Sequence, residues 1–194
     1  MKSIALLAVA GLATVASAQT GLNVNLTFDR SSIAIGETAT ATIMASWTGV
    51  AGSYMSSINV NVNASGEYVA ASNVAAVAWN NPPLGFNGQG VASGASVLNL
   101  QASQFSLIPP FVATNPILVT TFTVTGTAEG VLSYSTSTVA GAPNPFSVTG
   151  PMFSDNPVFF GNDAFSSGSL TVTPAPSAMA LLGLGGLVAG RRRR

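Results

Sequence analysis

Six carboxylates are this chain's candidates for acid–base chemistry: Asp29, Glu37, Glu67, Glu129, Asp155 and Asp163. The 194 residues contain no histidine and no cysteine. That removes the commonest general base, the commonest metal ligand and the thiolate nucleophile. A serine needs a base beside it to act as a nucleophile, so the remaining route is two carboxylates facing one another, as in glycoside hydrolysis. Three of the acids adjoin glycine in turn-like stretches, Ile35-Gly36-Glu37, Ser65-Gly66-Glu67 and Glu129-Gly130. Solvated acids are ordinary in such places. The residue types point away from an enzyme.

Two other groups of side chains carry chemistry. Asp155-Asn156 and Asn162-Asp163 bracket the short run 157–161. Four oxygen-bearing side chains so placed are a candidate Ca²⁺ site, since Ca²⁺ takes about 6–8 oxygen ligands. Turn formation at the two ends of a strand explains them as well, and the alternating acidic spacing of a calcium loop is missing. No other cofactor is indicated. Trp79-Asn80-Asn81-Pro82-Pro83, followed by Phe86, Asn87 and Gln89, combines aromatic rings with amides in a Pro- and Gly-rich loop. Trp79, Asn80, Asn81 and Phe86 are the candidates for stacking on a sugar face and hydrogen-bonding its hydroxyls. The alternative is that Trp79 ends a strand and packs inside. Trp47 continues the apolar face of its own strand and is expected in the core.

The elements that must position these groups are strands. Period-2 alternation dominates. Leu22, Val24, Leu26 and Phe28 oppose Asn23, Asn25 and Thr27; Ala39, Ala41, Ile43, Ala45 and Trp47 oppose Thr38, Thr40, Thr42 and Ser46. Ile58, Val60 and Val62 alternate with Asn59, Asn61 and Asn63, and Leu118, Phe122 and Val124 with Thr121, Thr123 and Thr125. Leu132 and Tyr134 alternate with serines, and Leu170 with Val172 closes the pattern. Residues 97–105 read as a helical turn. One apolar and one polar face per run is the mark of antiparallel sheets wet on one side. Many short strands separated by turns, such as Pro143-Asn144-Pro145, indicate an all-β antiparallel β-sandwich. Helix is expected to stay below about 15% outside the termini, against about 30–35% in ordinary domains.

Charge is sparse, at 6% of residues against an apolar share of 47%. Lys2 and the block Arg191, Arg192, Arg193 and Arg194 lie at the ends, so the middle holds Arg30 against all six acids. Such a domain has no electrostatic footprint for nucleic acid. The ends read as sorting signals. Lys2, an apolar stretch over 4–15 and Ala16-Ser17-Ala18 form a signal peptide, residues 1–18, in an N-terminal helix, with cleavage between Ala18 and Gln19. After the domain, residues 19–173, comes a tail, 174–194. It has Pro174-Ala175-Pro176, an uncharged Leu/Ala/Gly helix over 178–190 and the arginine block. About 13 helical residues span about 20 Å, short of the ~30 Å hydrocarbon core, so this is a short transmembrane segment suited to transient anchoring. The arginines stay on the cytoplasmic side.

The tail resembles the PEP-CTERM sorting signal of Gram-negative bacteria in its order of Pro-rich motif, Gly/Leu/Ala helix and terminal arginines. Ala175 stands where that family has Glu. The resemblance implies processing by an exosortase-like membrane protease after signal peptidase has acted, with the protein reaching the cell envelope, cell surface or extracellular matrix. The middle resembles the cohesin and carbohydrate-binding β-sandwich families, jelly-roll-like domains. The resemblance lies at Gly36-Glu37-Thr38-Ala39-Thr40-Ala41-Thr42, at Leu118-Val119-Thr120-Thr121-Phe122-Thr123-Val124 and at Ala128-Glu129-Gly130-Val131-Leu132-Ser133. The function expected is that of a surface-sorted, non-enzymatic structural or adhesion component. The alternative is a carbohydrate-binding module for extracellular polysaccharide using the Trp79 loop, and a glycan-active enzyme comes third. Intact-mass measurement of secreted protein should give a chain beginning at Gln19; a retained Met1 would contradict export.

Overall fold

The computed structural model describes residues 21–49, 51–80, 88–105, 112–151 and 157–175. The signal peptide, Pro176 and the rest of the tail lie outside the described residues. In chain order the strands are β1 (Gly21–Phe28), β2 (Ser32–Ala34), β3 (Thr38–Thr48), β4 (Tyr54–Ala64), β5 (Val69–Ser72), β6 (Val91–Ser93) and β7 (Ser96–Ser103). They continue as β8 (Ile117–Gly126), β9 (Gly130–Leu132), β10 (Tyr134–Thr138), β11 (Phe146–Thr149), β12 (Val158–Phe160), β13 (Phe165–Ser167) and β14 (Leu170–Thr173). Helix among the described residues is one 3₁₀ turn, Asn162–Ala164.

One sheet runs β13-β1-β3-β8-β5. The other runs β12-β11-β4-β7-β6, with β10 also bonded to β4. A small sheet, β2-β14-β9, joins an early strand to the last one. The pairings are antiparallel except β1 with β13 and β2 with β14. The apolar stripes meet in one core, and the molecule is an antiparallel β-sandwich. Ala39, Ala41, Ile43, Ala45 and Trp47 of β3 are buried, as are Ile58, Val60 and Val62 of β4. On the outer face of the first sheet, Thr38, Thr40 and Thr42 pair across the ladder with Thr125, Thr123 and Thr121. Cross-strand pairs of this kind each add about 0.2–1 kcal/mol. The Ile35-Gly36-Glu37 turn requires glycine, with φ of 89° at Gly36. Its amides bind Thr173 and Gly126 carbonyls at 2.9 Å, which stitches the β2–β3 turn to β8 and β14.

Two expectations fail at β-bulges, where an extra residue reverses which face side chains take. Between β3 and β8 the register moves from Ile43↔Thr120 to Met44↔Leu118. Val119 and Thr120 are therefore both buried, and Leu118, expected inside, is 45% exposed. Thr120 satisfies its hydroxyl by donating to the Ala75 carbonyl at 2.6 Å. The second case is the stretch 97–105, which is not a helical turn: its first part lies in β7. There the register moves from Val60↔Leu100 to Val62↔Val97, and Asn99 takes φ of 55°. The Asn99 amide is held by Asn61 Oδ1 at 2.8 Å. The bulge sets Val97 and Leu100 three residues apart on one buried face, and that spacing imitates a helix.

Tyr134 ties the layers together. It lies in β10, on the β4 sheet, and meets Phe122 of β8 edge-on at 5.6 Å between ring centroids and Phe28 of β1 at 6.2 Å. Its hydroxyl donates to the Ala95 carbonyl at 2.8 Å. Burial, with a smaller push from the Glu67 carboxylate, holds that hydroxyl well above the usual phenol range. The unfolded chain therefore releases the proton first. The resulting stability is complete below about pH 10 and is lost as pH rises above it. Tyr134→Phe should cost about 1–3 kcal/mol at pH 7, through the orphaned Ala95 carbonyl. It should also flatten the alkaline decline, which urea titrations from pH 7 to 11 would read.

Candidate functional site

The five described carboxylates serve turns and strand ends. Asp29 Oδ1 accepts from the Thr40 amide at 3.0 Å, and the carboxylate pairs with Arg30 at 3.5 Å on the surface. Glu37 accepts from the Ala34 amide at 2.9 Å and Glu67 from the Ala95 amide at 3.2 Å. Glu129 is exposed in a bend, and Asp163 is exposed in the 3₁₀ turn. Asn162, beside it, donates to Thr138 Oγ1 at 3.3 Å. Asp155 and Asn156, the other half of the candidate calcium set, lie outside the described residues.

Trp79 does not have the open ring expected of a sugar-stacking residue. It is 1% exposed, and its Nε1 donates to the Leu118 carbonyl at 3.1 Å. The β8 bulge turns Leu118 outward, and Trp79 fills part of the core. Asn80 is half-buried, and its Oδ1 accepts from the Ser103 amide at 3.0 Å. Gln89 donates to the Val74 carbonyl at 2.7 Å. Asn81 and Phe86 lie outside the described residues. Of the tail motif, Pro174 and Ala175 follow directly on β14.

A groove lies elsewhere, on the outer face of the β4 sheet. This groove of about 670 Å³ runs over β11, β4 and β7, with one wall made by residues 140–143 between β10 and β11. Ser56, Ser57 and Asn59 of β4, Gln101 and Ser103 of β7, and Ser147 and Thr149 of β11 form its floor. Apart from Ser56, placed beside Ser57 by a shift of register opposite Ser147 and Val148, these positions alternate with the core residues Ile58, Val60, Leu100, Ala102, Phe146 and Val148, so the burial of one face dictates the polarity of the other. Phe159 of β12 stands beside Ser147 in the register. Phe159 and Phe105 rim the groove at 54% and 52% exposure.

The floor is a network of hydroxyls and amides. Ser147 Oγ lies 2.8 Å from Ser56 Oγ and 2.6 Å from Ser57 Oγ, and Thr149 donates to Ser56 Oγ at 2.7 Å. Gln101 reaches Asn59 Oδ1 at 3.5 Å, and Asn59 donates to the Asn144 carbonyl at 3.2 Å. Gln104 at one end is fully occupied by Met55 and Val112 backbone groups. Ser103 Oγ is buried with no hydrogen-bond partner. No carboxylate, ammonium or guanidinium lines the groove among the described residues. No described base therefore stands beside the serines.

The sequence reading missed this groove. Each floor residue is an unremarkable Ser, Thr, Asn or Gln on the wet side of its strand. Their convergence depends on β11 and β7 flanking β4, across separations in sequence of about 40 to 90 residues.

No family model and no curated protein sequence matches the chain. Solved structures do match in shape. The second type II cohesin module of the adaptor ScaA scaffoldin of Acetivibrio cellulolyticus has a TM-score of 0.53 at 13% identity, with 80% of this chain and 99% of that one covered. A type II cohesin–X-dockerin complex from the same organism gives 0.51 at 13% identity, covering 78% and 99%. The seventh ScaB type I cohesin of Pseudobacteroides cellulosolvens gives 0.50 at 16%, covering 80% and 94%. The fold is cohesin-like.

Substitution should separate these roles. Trp79→Ala should destabilise by about 3–5 kcal/mol, as expected for emptying an aromatic site in the core. Ser103→Ala removes an unpartnered hydroxyl and should leave stability unchanged or slightly raised. Ser147→Ala breaks two hydroxyl contacts and should cost about 1–2 kcal/mol. Denaturant melts of the three variants would check the order.

Proposed function

We propose that this chain is an exported, non-enzymatic binding module of a bacterial cell surface or extracellular matrix, acting as a structural or adhesion component. The observation that carries the reading is the groove on the outer face of the β4 sheet. It is built from hydroxyls, amides and aromatic rings, with no acid–base pair among the described residues, on a fold like that of cohesins. Two of the similar cohesin structures are complexes with dockerin modules, which supports binding as the use of such a sandwich.

In this reading residues 1–18 direct export and are removed by signal peptidase between Ala18 and Gln19. Residues 19–173 fold outside the cytoplasm. Residues 174–194 act as a variant PEP-CTERM signal: Pro174-Ala175-Pro176 spaces the tail from the fold, the apolar segment anchors it transiently, and Arg191, Arg192, Arg193 and Arg194 hold the cytoplasmic side for an exosortase-like protease. The end of β14 at Thr173 supports this division. That strand is paired on both sides, with β2 and β9. Proline at 174 and 176 has no amide to extend the ladder.

Deleting residues 174–194 should leave the melting temperature of the secreted protein within about 2 °C, the change expected for under ~0.5 kcal/mol in a domain of this size. It should redirect the protein from the envelope to the medium, as cell fractionation would show. A truncated protein that unfolds would make the tail structural and overturn its assignment as a sorting signal.

A further inference from the structure

We propose that the groove over β11, β4 and β7 holds a neutral polysaccharide chain, an assignment that rests on reading the protein as an exported binding module. The rings of Phe105 and Phe159 lie against sugar faces, and Asn59, Gln101 and the serine hydroxyls meet sugar hydroxyls.

Four features of the groove select this occupant. Its described lining bears no charge, so no described group there neutralises phosphate, sulfate or uronate groups or draws in a charged peptide. A neutral glycan brings no charge that must be desolvated without a partner. The floor offers both donors and acceptors, because hydroxyls and amides do both, and sugar hydroxyls need both. Gln101 is engaged only by one long contact of 3.5 Å to Asn59, which leaves its amide capacity for a ligand. The half-exposed rings of Phe105 and Phe159 stand at the rim. Aromatic faces carry negative quadrupole density, which attracts the polarised C–H groups on the flat faces of a sugar ring.

The groove's size and the character of its floor agree. About 670 Å³ falls within the ~300–1,000 Å³ of small-ligand sites. Protein interfaces centre on tryptophan, tyrosine or arginine anchors; the described lining has neither tryptophan nor arginine, and its tyrosine, Tyr54, is 5% exposed. Ser103 Oγ is the second sign of a ligand site. The residue is 6% exposed, lines the floor and leaves its hydroxyl unpartnered. Native proteins leave few such groups without a functional reason.

The test is calorimetric titration of the secreted protein with cellohexaose, mannohexaose and chitohexaose, with hexagalacturonate as the charged comparison. At least one neutral hexasaccharide should bind, with an affinity that changes less than about twofold between low and high salt. Phe159→Ala should weaken binding about tenfold and Gln101→Ala about fivefold. Both side chains face outward, so melting temperatures should not move, and a variant that melts early is replaced by Phe159→Ser or Gln101→Ser. The proposal is overturned if all three neutral sugars fail to bind. It is also overturned if both variants bind as well as the parent, if hexagalacturonate is preferred, or if a protein ligand occupies the groove and no neutral sugar displaces it. Failure of the underlying reading looks different: the protein would keep Met1 and stay in the cytoplasm, or would cleave the sugars.

Discussion

The burial of one apolar face of each sheet against the other is the interaction on which the rest of this structure depends. There is no disulfide to constrain the chain, and the ion pair between Asp29 and Arg30 is on the surface, where such pairs contribute about 0–1 kcal/mol. Stability must come from apolar area removed from water and from a complete backbone ladder. The cross-layer cluster of Tyr134, Phe122 and Phe28 fits this constraint. It brings large rings from both sheets to one place and satisfies its only polar atom by hydrogen bonding to a backbone carbonyl.

That constraint also makes the groove. A strand has two faces, and committing one to the core commits its alternate residues to the outside. In β4, Ile58 and Val60 turn in, so Ser57 and Asn59 turn out; β7 and β11 do the same beside it. The groove floor is thus the reverse side of the core. Substitutions there change the surface without emptying the interior. The low charge of the whole domain has a local consequence, since the described lining of the groove bears no charged side chain.

The fold was largely legible because its signal is local. Alternating Thr and apolar residues over 38–47 or Asn and apolar residues over 58–63 state a strand, its wet face and its dry face together. Where the reading failed, at Leu118 and over 97–105, the cause was in each case a bulge. Bulges are set by the partner strand: Met44 opposite Leu118 and Asn61 against Asn99 decide which residues are extra. No pattern within one strand announces them. Trp79 was ambiguous for a related reason, since an aromatic residue before a Pro-rich loop reads equally as a loop tip or a strand end, and only the packing beneath Leu118 distinguishes the two.

By itself the sequence determined that the chain is built of strands, that its 194 residues offer no histidine or cysteine, and that Arg30 is the one basic residue between 19 and 173. These follow from residue types and period-2 spacing, which need no knowledge of what lies opposite. Tertiary structure alone decided the strand order and the bulges in β7 and β8. It also decided the exclusion of Trp79 from the surface and the convergence of Ser57, Asn59, Gln101, Ser103 and Ser147 on one groove. Those outcomes depend on which strands become neighbours. That pairing is settled by the joint burial of all the stripes, a property of the whole chain that no single segment contains.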